Sequence, residues 1–506
     1  MKFRTRNNLI CAFAVLCVAW TSQSWAASNC VTVAHDYSSG ESLSMDPALN
    51  FGLDNAGVLV NVYDALVDFD NNFELIPRLA TSWEANADAT EWTFKLREGV
   101  KFHDGSDFDA ADVVYSYNRV LDPDVGSPGK ALLDPFVASV EVVDTHTVRF
   151  SLKQPTATAP LRLRSKWTYI VPEGITHEQF EQAGIGTGPF MQESFTRGAP
   201  FHELVRNPDY WEPDLPKAEC LRVTVINEPI TRAAALLSGD IDVASVIDPE
   251  LVGLLNKNDA VTVRTAPGGG PLVLNMLIDV PPFDDVRVRR AMKLVVDRQA
   301  IVDGPLLGLG EPGNDTPIPP SNPLAHRNDI RPRDIAQARS LLSEAGYPDG
   351  IDVELYTAPA GVGYVNMAQA YAQMAAEAGI RVKINMMPAA GYWSEVWMTK
   401  PFSSSNWAAR HPVEALAVGY RSDAKWNDTR WYNDEFDSLL DKANAAIDLG
   451  ERAAHLKAAQ QLLAEDGGAI VPAFFPVVSA TRSNCTGYEP HTIRFYFNFR
   501  TVECAN

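Results

Sequence analysis

The sequence predicts an α/β fold divided into two or three subdomains. Three observations carry that expectation. Stretches that alternate apolar and polar residues, such as 92–97 (WTFKLR) and 146–152 (HTVRFSL), interleave with stretches of helical period such as 109–121. A cleaved leader would leave about 480 residues, more than a single hydrophobic core organises. Midway along the chain three consecutive glycines, 268–270, open onto the buried-type strand LVLNMLI, where one body would cross to the next.

The N-terminus reads as a secretory signal over residues 1–26. Lys2, Arg4 and Arg6 precede a mostly apolar stretch at 9–20, and Ser24 and Ala26 stand at −3 and −1 of a small-residue cleavage site. That apolar stretch is too short for a bilayer span, and no second one of about twenty residues follows, so a soluble mature chain is expected. Cys11 and Cys17 admit a lipoprotein reading, but neither is followed by mature-looking polar sequence. The formal net charge is −21 at pH 7, and the leader removes three basic residues and no acidic one. So acidic a surface favours solubility and argues against nucleic acid or anionic lipid as partner.

Cys30, Cys220, Cys485 and Cys504 remain, and an even count in an oxidising compartment suggests two disulfides among three possible pairings. Cys30 and Cys220 each open a strand-like run (CVTVAHDY and CLRVTVINE) that would set them opposite each other. Cys485 and Cys504 flank a β-rich tail, IRFYFNF, that would return as a hairpin. Cys30–Cys220 and Cys485–Cys504 are therefore favoured; free buried thiols are the alternative. No CxxC or Cys/His cluster suggests a metal site.

After the first strand, a small α/β subdomain places a helix over 109–121, with Ala110, Val113, Val114, Tyr117 and Val120 on one face. GTGPF at 186–190 and RNPDYWEP at 206–213 are turn clusters, the second lying between strands FHELVR and CLRVTV. A helix over 228–238 ends at Gly239, and IDVASV reads as a strand. Beyond the glycine triplet, Asp284 and Asp285 cap a helix running to Asp303 and Gly304, followed by the proline-dense loop GNDTPIPPSNP. A helix over 334–345, strand IDVELYT, a helix over 365–378 and strand IRVKINMMP form a βαβ succession. Helices near 434–447 and 451–466 precede the strand AIVPAFF.

Four segments carry a family resemblance. The first, at 43–123, holds SLSMDPAL, VNVYDALVDFD, PRLATSWEANADATEWTFKLREGVKFHDG and DAADVVYSYNRVLDP. The second is GTGPF with RNPDYW and ITRAAALLSGDIDVA, the third PPFDDVRVRRAMKLVVDRQAIVDG, and the fourth RWYNDEFDSLLDKA with GGAIVPAFF. In that order they resemble the extracytoplasmic solute-binding proteins of bacterial ABC importers, family 5, the peptide, opine and nickel class. The resemblance covers nearly the whole mature chain. It implies a two-lobed periplasmic binding fold of type II, of the large cluster C kind with an extra subdomain, hinged between lobes. Lobe I would span 27–269, with an inserted α/β subdomain at about 48–180. Lobe II would span 270–478, and 479–506 would return to lobe I. Ligand would sit in the cleft and be buried by closure. The resemblance further implies a periplasmic location, no cofactor, a monomer, and an inner-membrane permease with its ATPase as partners. ATP would be hydrolysed there, and this chain has no Walker A sequence.

Peptide-binding relatives pair the ligand ammonium with an aspartate in the loop after a buried strand. The corresponding loop here is 403–416 (SSSNWAARHPVEAL), and its aspartates are missing. Arg410 stands there instead, a fork of donors suited to a carboxylate, sulfonate or phosphate. Trp407, three residues earlier, offers an apolar wall or a cation–π platform. Tyr392 and Trp393 follow strand IRVKINMMP as possible cleft walls, or pack in the core. Tyr37, Ser38, Ser39 and Gly40 follow the first strand, where relatives contact ligand. Asn275 is a polar residue in a buried strand and needs a partner from the cleft or from backbone. His411 is a further contact candidate. Asp104, Asp107, Asp109 and Asp112 invite a calcium reading, but the spacing lacks the glycine and glutamate of an EF-hand loop.

The leading expectation is therefore capture of a small peptide-like, opine-like or other anionic or zwitterionic solute for import. The alternatives are an oligosaccharide stacked on Trp393, Trp397 and Trp407, and, in a different class, an exported hydrolase. The hydrolase lacks support: there is no GxSxG and no HExxH, and the nine histidines are scattered. A chemoreceptor accessory or periplasmic chaperone on the same fold is a third class. A metal chelate or haem has no dedicated ligand pattern.

Overall fold

The structure is a computed structural model that describes residues 30–36, 44–49, 56–196, 199–266, 269–493 and 496–505. The leader and Tyr37, Ser38, Ser39 and Gly40 lie outside the described residues.

The strand Cys30–His35 alternates toward the core and pairs in parallel with Cys220–Val225, with Cys30 opposite Cys220. That register brings the two Cα atoms to 4.4 Å and closes the first disulfide, as the strand reading expects. Seven strands make this sheet, in the order Val261–Thr265, Val478–Arg482, Val243–Ala244, Cys30–His35, Cys220–Val225, Phe201–Arg206 and Phe190–Gln192. The strand expected over IDVASV is only two residues long. A four-stranded sheet of Ala80–Ala85, Glu91–Leu96, Thr147–Leu152 and Val137–Asp144 packs under the helix Ala110–Leu121. Asp109 caps that helix and Asp112 reciprocates from its first turn. Asp104 accepts from the N–H and hydroxyl of Ser106. Asp104, Asp109 and Asp112 thus serve a turn and a helix cap, and Asp107 pairs with Lys101.

The second large sheet runs Glu311–Pro312, Ala469–Phe475, Gly270–Met276, Phe402–Asn406, Ile351–Thr357 and Ile380–Met386. All seven residues of Gly270–Met276 are buried, which explains their near-continuous apolar sequence. The chain passes between the two large sheets twice, and the two passages lie side by side. Thr265 pairs with Val478, the Ala266 N–H donates to Val477 O at 2.9 Å, and Gly270 pairs with Phe475. Gly269 holds φ at 122°, and a Cβ there would meet the Phe475 carbonyl oxygen at 1.9 Å. Only glycine fits that approach.

Two sequence expectations are corrected. The helix expected from Asp285 to Asp303 is two helices, Val286–Leu294 and Arg298–Asp303. Asp297 breaks it, because its carboxylate accepts from the Ala300 N–H and starts a new helix. The tail IRFYFNF is no strand where it is described. Phe497 and Phe499 are buried instead, and the Asn61 side chain bonds the Phe497 carbonyl and the Phe499 N–H. The second disulfide sits on two short antiparallel strands, Cys485–Thr486 and Glu503–Cys504, with the cysteines opposite each other. Among the described residues, no helix is long and apolar enough to cross a membrane.

The GTGPF turn packs directly on the end of the helix Ala56–Val62. A Cβ on Gly186 would stand 2.1 Å from the Val62 carbonyl oxygen, a backbone atom that cannot swing aside. Gly186→Ala should therefore lower stability by at least about 2 kcal/mol, read from the urea midpoint. A midpoint equal to wild type would show that this turn is not tightly seated.

Candidate functional site

The strand Phe402–Asn406 lies beside Gly270–Met276 in the middle of the second large sheet. It delivers the loop 407–411 to the start of the helix Pro412–Tyr420. His411 caps that helix, its Nδ1 accepting from the Val413 N–H at 3.2 Å. Burial pushes its imidazole down to about 4, so it is neutral at physiological pH, as an accepting Nδ1 requires.

Arg410 donates from Nε to Glu414 Oε1 at 3.1 Å, one turn along the helix, and from NH1 to the Ala408 carbonyl at 3.2 Å. Its guanidinium also stands 5.5 Å from the Trp407 ring centre. The guanidinium thus has Glu414 as an ionic partner, whose carboxylate is largely exposed, so the pair is a weak surface one. Arg410 borders a minor pocket of about 100 Å³ beside Asn71, Pro317 and Thr492.

Trp407 belongs to a row of four indoles: Trp393, Trp397, Trp407 and Trp426, with ring centres 5.7, 5.9 and 6.2 Å apart. Trp393 and Trp426 at its ends are exposed. Neighbouring rings along the first two steps meet at 79° and 71°, edge to face. Tyr392 is not part of the exposed row. It is buried beneath it, its hydroxyl 3.0 and 2.9 Å from the carbonyl oxygens of Tyr356 and Ser404, so it packs the core.

Behind the row lies a group that sequence reasoning missed. Asp428 is fully buried, and its Oδ2 accepts from Asn275 Nδ2 at 2.8 Å, Trp407 Nε1 at 3.1 Å and Trp397 Nε1 at 3.2 Å. The Asn275 amide N–H therefore finds its partner in a side chain and not in backbone, while its Oδ1 is buried without one among the described residues. Three donors favour the carboxylate, but burial opposes it more strongly, and the acid is pushed up to about 7. Its Oδ1 is buried with no hydrogen-bond partner among the described residues, which is where the burial cost concentrates. The hydroxyls of Tyr364 and Tyr420 lie close enough to feel its charge. The one hint in sequence was an aspartate set in the aromatic stretch WNDTRWY.

Next to this row opens a cavity of about 600 Å³. One wall is the helix Pro412–Tyr420 with His411, Val413, Ala417 and Val418, continued by Lys425 and Trp426. The other comes from residues 158–167, with Leu161, Arg162, Arg164 and Trp167. Trp426 belongs to both the row and the cavity. The walls meet where Thr158 Oγ1 donates to Asn444 Oδ1 at 2.9 Å and Arg452 donates to the Ala157 carbonyl at 3.0 Å. Volume and apolar lining suit a small organic ligand. No metal-ligand set accompanies it: among the described residues the one grouping of potential ligands is Asp242 with Cys485 and Cys504, and those cysteines form a disulfide.

Residues 74–429 match the model of the bacterial extracellular solute-binding proteins, family 5. The chain is 28% identical to the glutathione-binding protein GsiB of Escherichia coli K12 over 493 residues, covering 94% of this chain and 93% of that protein. It resembles the periplasmic binding protein DppA of Helicobacter pylori, solved with the peptide STSA, at a TM-score of 0.73 and 25% identity, covering 94% and 98% of the two chains. It resembles AgaA of A. tumefaciens R10, solved with agropinic acid, at a TM-score of 0.73 and 25% identity, covering 94% and 99%.

Asp428 titrates with a definite sign. An acid raised on folding favours the folded state fully below its ordinary range near 4, and that advantage is lost as pH rises through about 7. Asp428→Asn, which cannot ionise, should gain stability relative to wild type by about 2–4 kcal/mol between pH 4 and pH 7.5. Parallel stability–pH curves for the two proteins, from urea unfolding, would contradict this.

Proposed function

The chain belongs to the bacterial extracellular solute-binding proteins of family 5, binding components of ABC importers rather than enzymes, and we propose that it captures a small zwitterionic or anionic solute, peptide-like or opine-like. The observation that carries this reading is the cavity of about 600 Å³ beside the loop 407–411, mostly apolar in its walls and bordered by three cationic side chains, Arg162, Arg164 and Lys425, against one carboxylate, Glu414. Related proteins are named for glutathione or were solved with a peptide or agropinic acid, all small molecules.

The mechanism follows from the two side-by-side passages between the large sheets. Residues 27–269 with 479–506 form one lobe in this reading, and 270–478 the other. A body joined by two adjacent strands swings about them as a hinge, with few other backbone constraints. Opening would part residues 158–167 from the helix Pro412–Tyr420 and admit the solute, and closure restores the contacts of Ala157 and Thr158 with Arg452 and Asn444 seen here and removes the solute from water. The closed form is what an inner-membrane permease and its ATPase would recognise. The leader over 1–26 places the protein in the periplasm, where both disulfides persist. The protein works as a monomer, and its acidity leaves no role for nucleic acid.

Within the site, Trp407, Arg410 and His411 act as a fixed rim: Arg410 is held by Glu414, and His411 is a cap. Trp393 and Trp426 offer the exposed aromatic surface.

A thermal-shift screen of mature protein, freed of carried-over solute by denaturation and refolding, tests the reading. A solute at 100 times its dissociation constant stabilises by about 2.7 kcal/mol, a clear shift. Hits should fall among peptides, opines and organic acids, without turnover. Hits confined to sugars, or chemical conversion of the bound compound, would contradict it.

A further inference from the structure

The reading of the cavity as the solute site leaves open what polar group it recognises. Its charged border is unbalanced. Glu414 is paired with Arg410. Arg164 is paired with Asp68 at 2.9 Å, both nearly buried. Lys425 is exposed and free to stay in water. Arg162 differs from all three. It is half-buried and makes no ion pair among the described residues. Its contacts are a long hydrogen bond of 3.4 Å from NH2 to Asn444 Oδ1 and a position 5.5 Å over the Phe136 ring. Burial lowers its proton affinity, and Glu414 across the cavity offsets only part of that. An arginine that is desolvated, held over an aromatic face and left without a carboxylate retains most of its fork of donors.

Most of the remaining lining is apolar, Leu161, Trp167, Val413 and Val418 among others, with Thr158, Ser165 and the neutral His411 as its uncharged polar members. An arginine bordering such walls fits a ligand with an apolar body and one carboxylate. A guanidinium can pair with a carboxylate through two parallel N–H donors, which gives the contact geometric specificity. Resting on the solute-site reading above, we propose that Arg162 is the counter-ion for the carboxylate of an apolar organic acid bound in this cavity, the role that sequence reasoning gave to Arg410. The acid end points toward the helix Ala159–Leu163, and the apolar body lies along the helix Pro412–Tyr420.

The test uses two probes on the mature protein, N-acetyl-leucyl-phenylalanine and its C-terminal carboxamide, with binding measured by calorimetry. The acid should bind at least tenfold more tightly than the amide. Arg162→Gln should abolish that preference, and Arg162→Lys should restore part of it. Val418→Trp, which fills the cavity, should remove binding of both probes. Equal affinity for acid and amide overturns the role of Arg162, and loss of both in Val418→Trp would then leave the solute-site reading standing. Binding unaffected by Val418→Trp overturns the solute-site reading and the inference together. Absence of binding by the acid overturns the inference even if the amide binds.

Discussion

Two strands of one antiparallel ribbon hold this molecule together across its middle. From Val261 opposite Arg482 to Asn275 opposite Ala469, the same two chain segments run beside each other through both large sheets. Each sheet has its own hydrophobic core. The ribbon fixes which edges face each other, and Gly269 lets it turn without a side chain wedging the strands apart. The cavity follows from that geometry: its walls come from residues far apart in sequence, 158–167 and 411–426, which meet only because the ribbon folds one body over the other.

Within the second body, charge placement serves shape before it serves recognition. The carboxylate of Asp428 is an expensive thing to bury, and three donors from Asn275, Trp397 and Trp407 do not fully offset the loss of water. In return it fixes two indoles edge to face, in orientations that apolar packing alone would leave free. Arg410 and Glu414 likewise neutralise each other at the rim. What remains unmatched is across the cavity, at Arg162.

Much of the fold was legible in the chain. Alternation marked the strands at 92–97 and 146–152, an apolar face marked the helix over 109–121, and paired strand openings located the first disulfide; the second pairing was also as expected, though on two short strands and not on a hairpin of the tail. The failures have physical reasons. The helix from Asp285 was expected to run on because its apolar period continues past Val295, yet a single aspartate at 297 offered a better start than a continuation. The tail around Phe497 looked like a strand because aromatic residues favour strands, yet its backbone is satisfied by Asn61 instead of a neighbouring ladder. The site was the least legible part. Arg410 stands in the expected loop, and a glutamate one turn away pairs with it at the surface, a partner the sequence reading did not name. Asp428 draws its partners from 21, 31 and 153 positions away, at Trp407, Trp397 and Asn275, and Arg162 meets Asn444 282 positions away, none of which a local pattern reveals.

The central claim is that the two bodies close on a solute about the shared ribbon. Small-angle X-ray scattering addresses it directly, comparing the solute-free protein with the same protein saturated by a solute whose binding calorimetry has established. The account predicts a smaller radius of gyration in the saturated sample and a return to the larger value when the solute is removed. Superimposable scattering curves at full saturation would contradict it, and would mean that the cavity binds without closure.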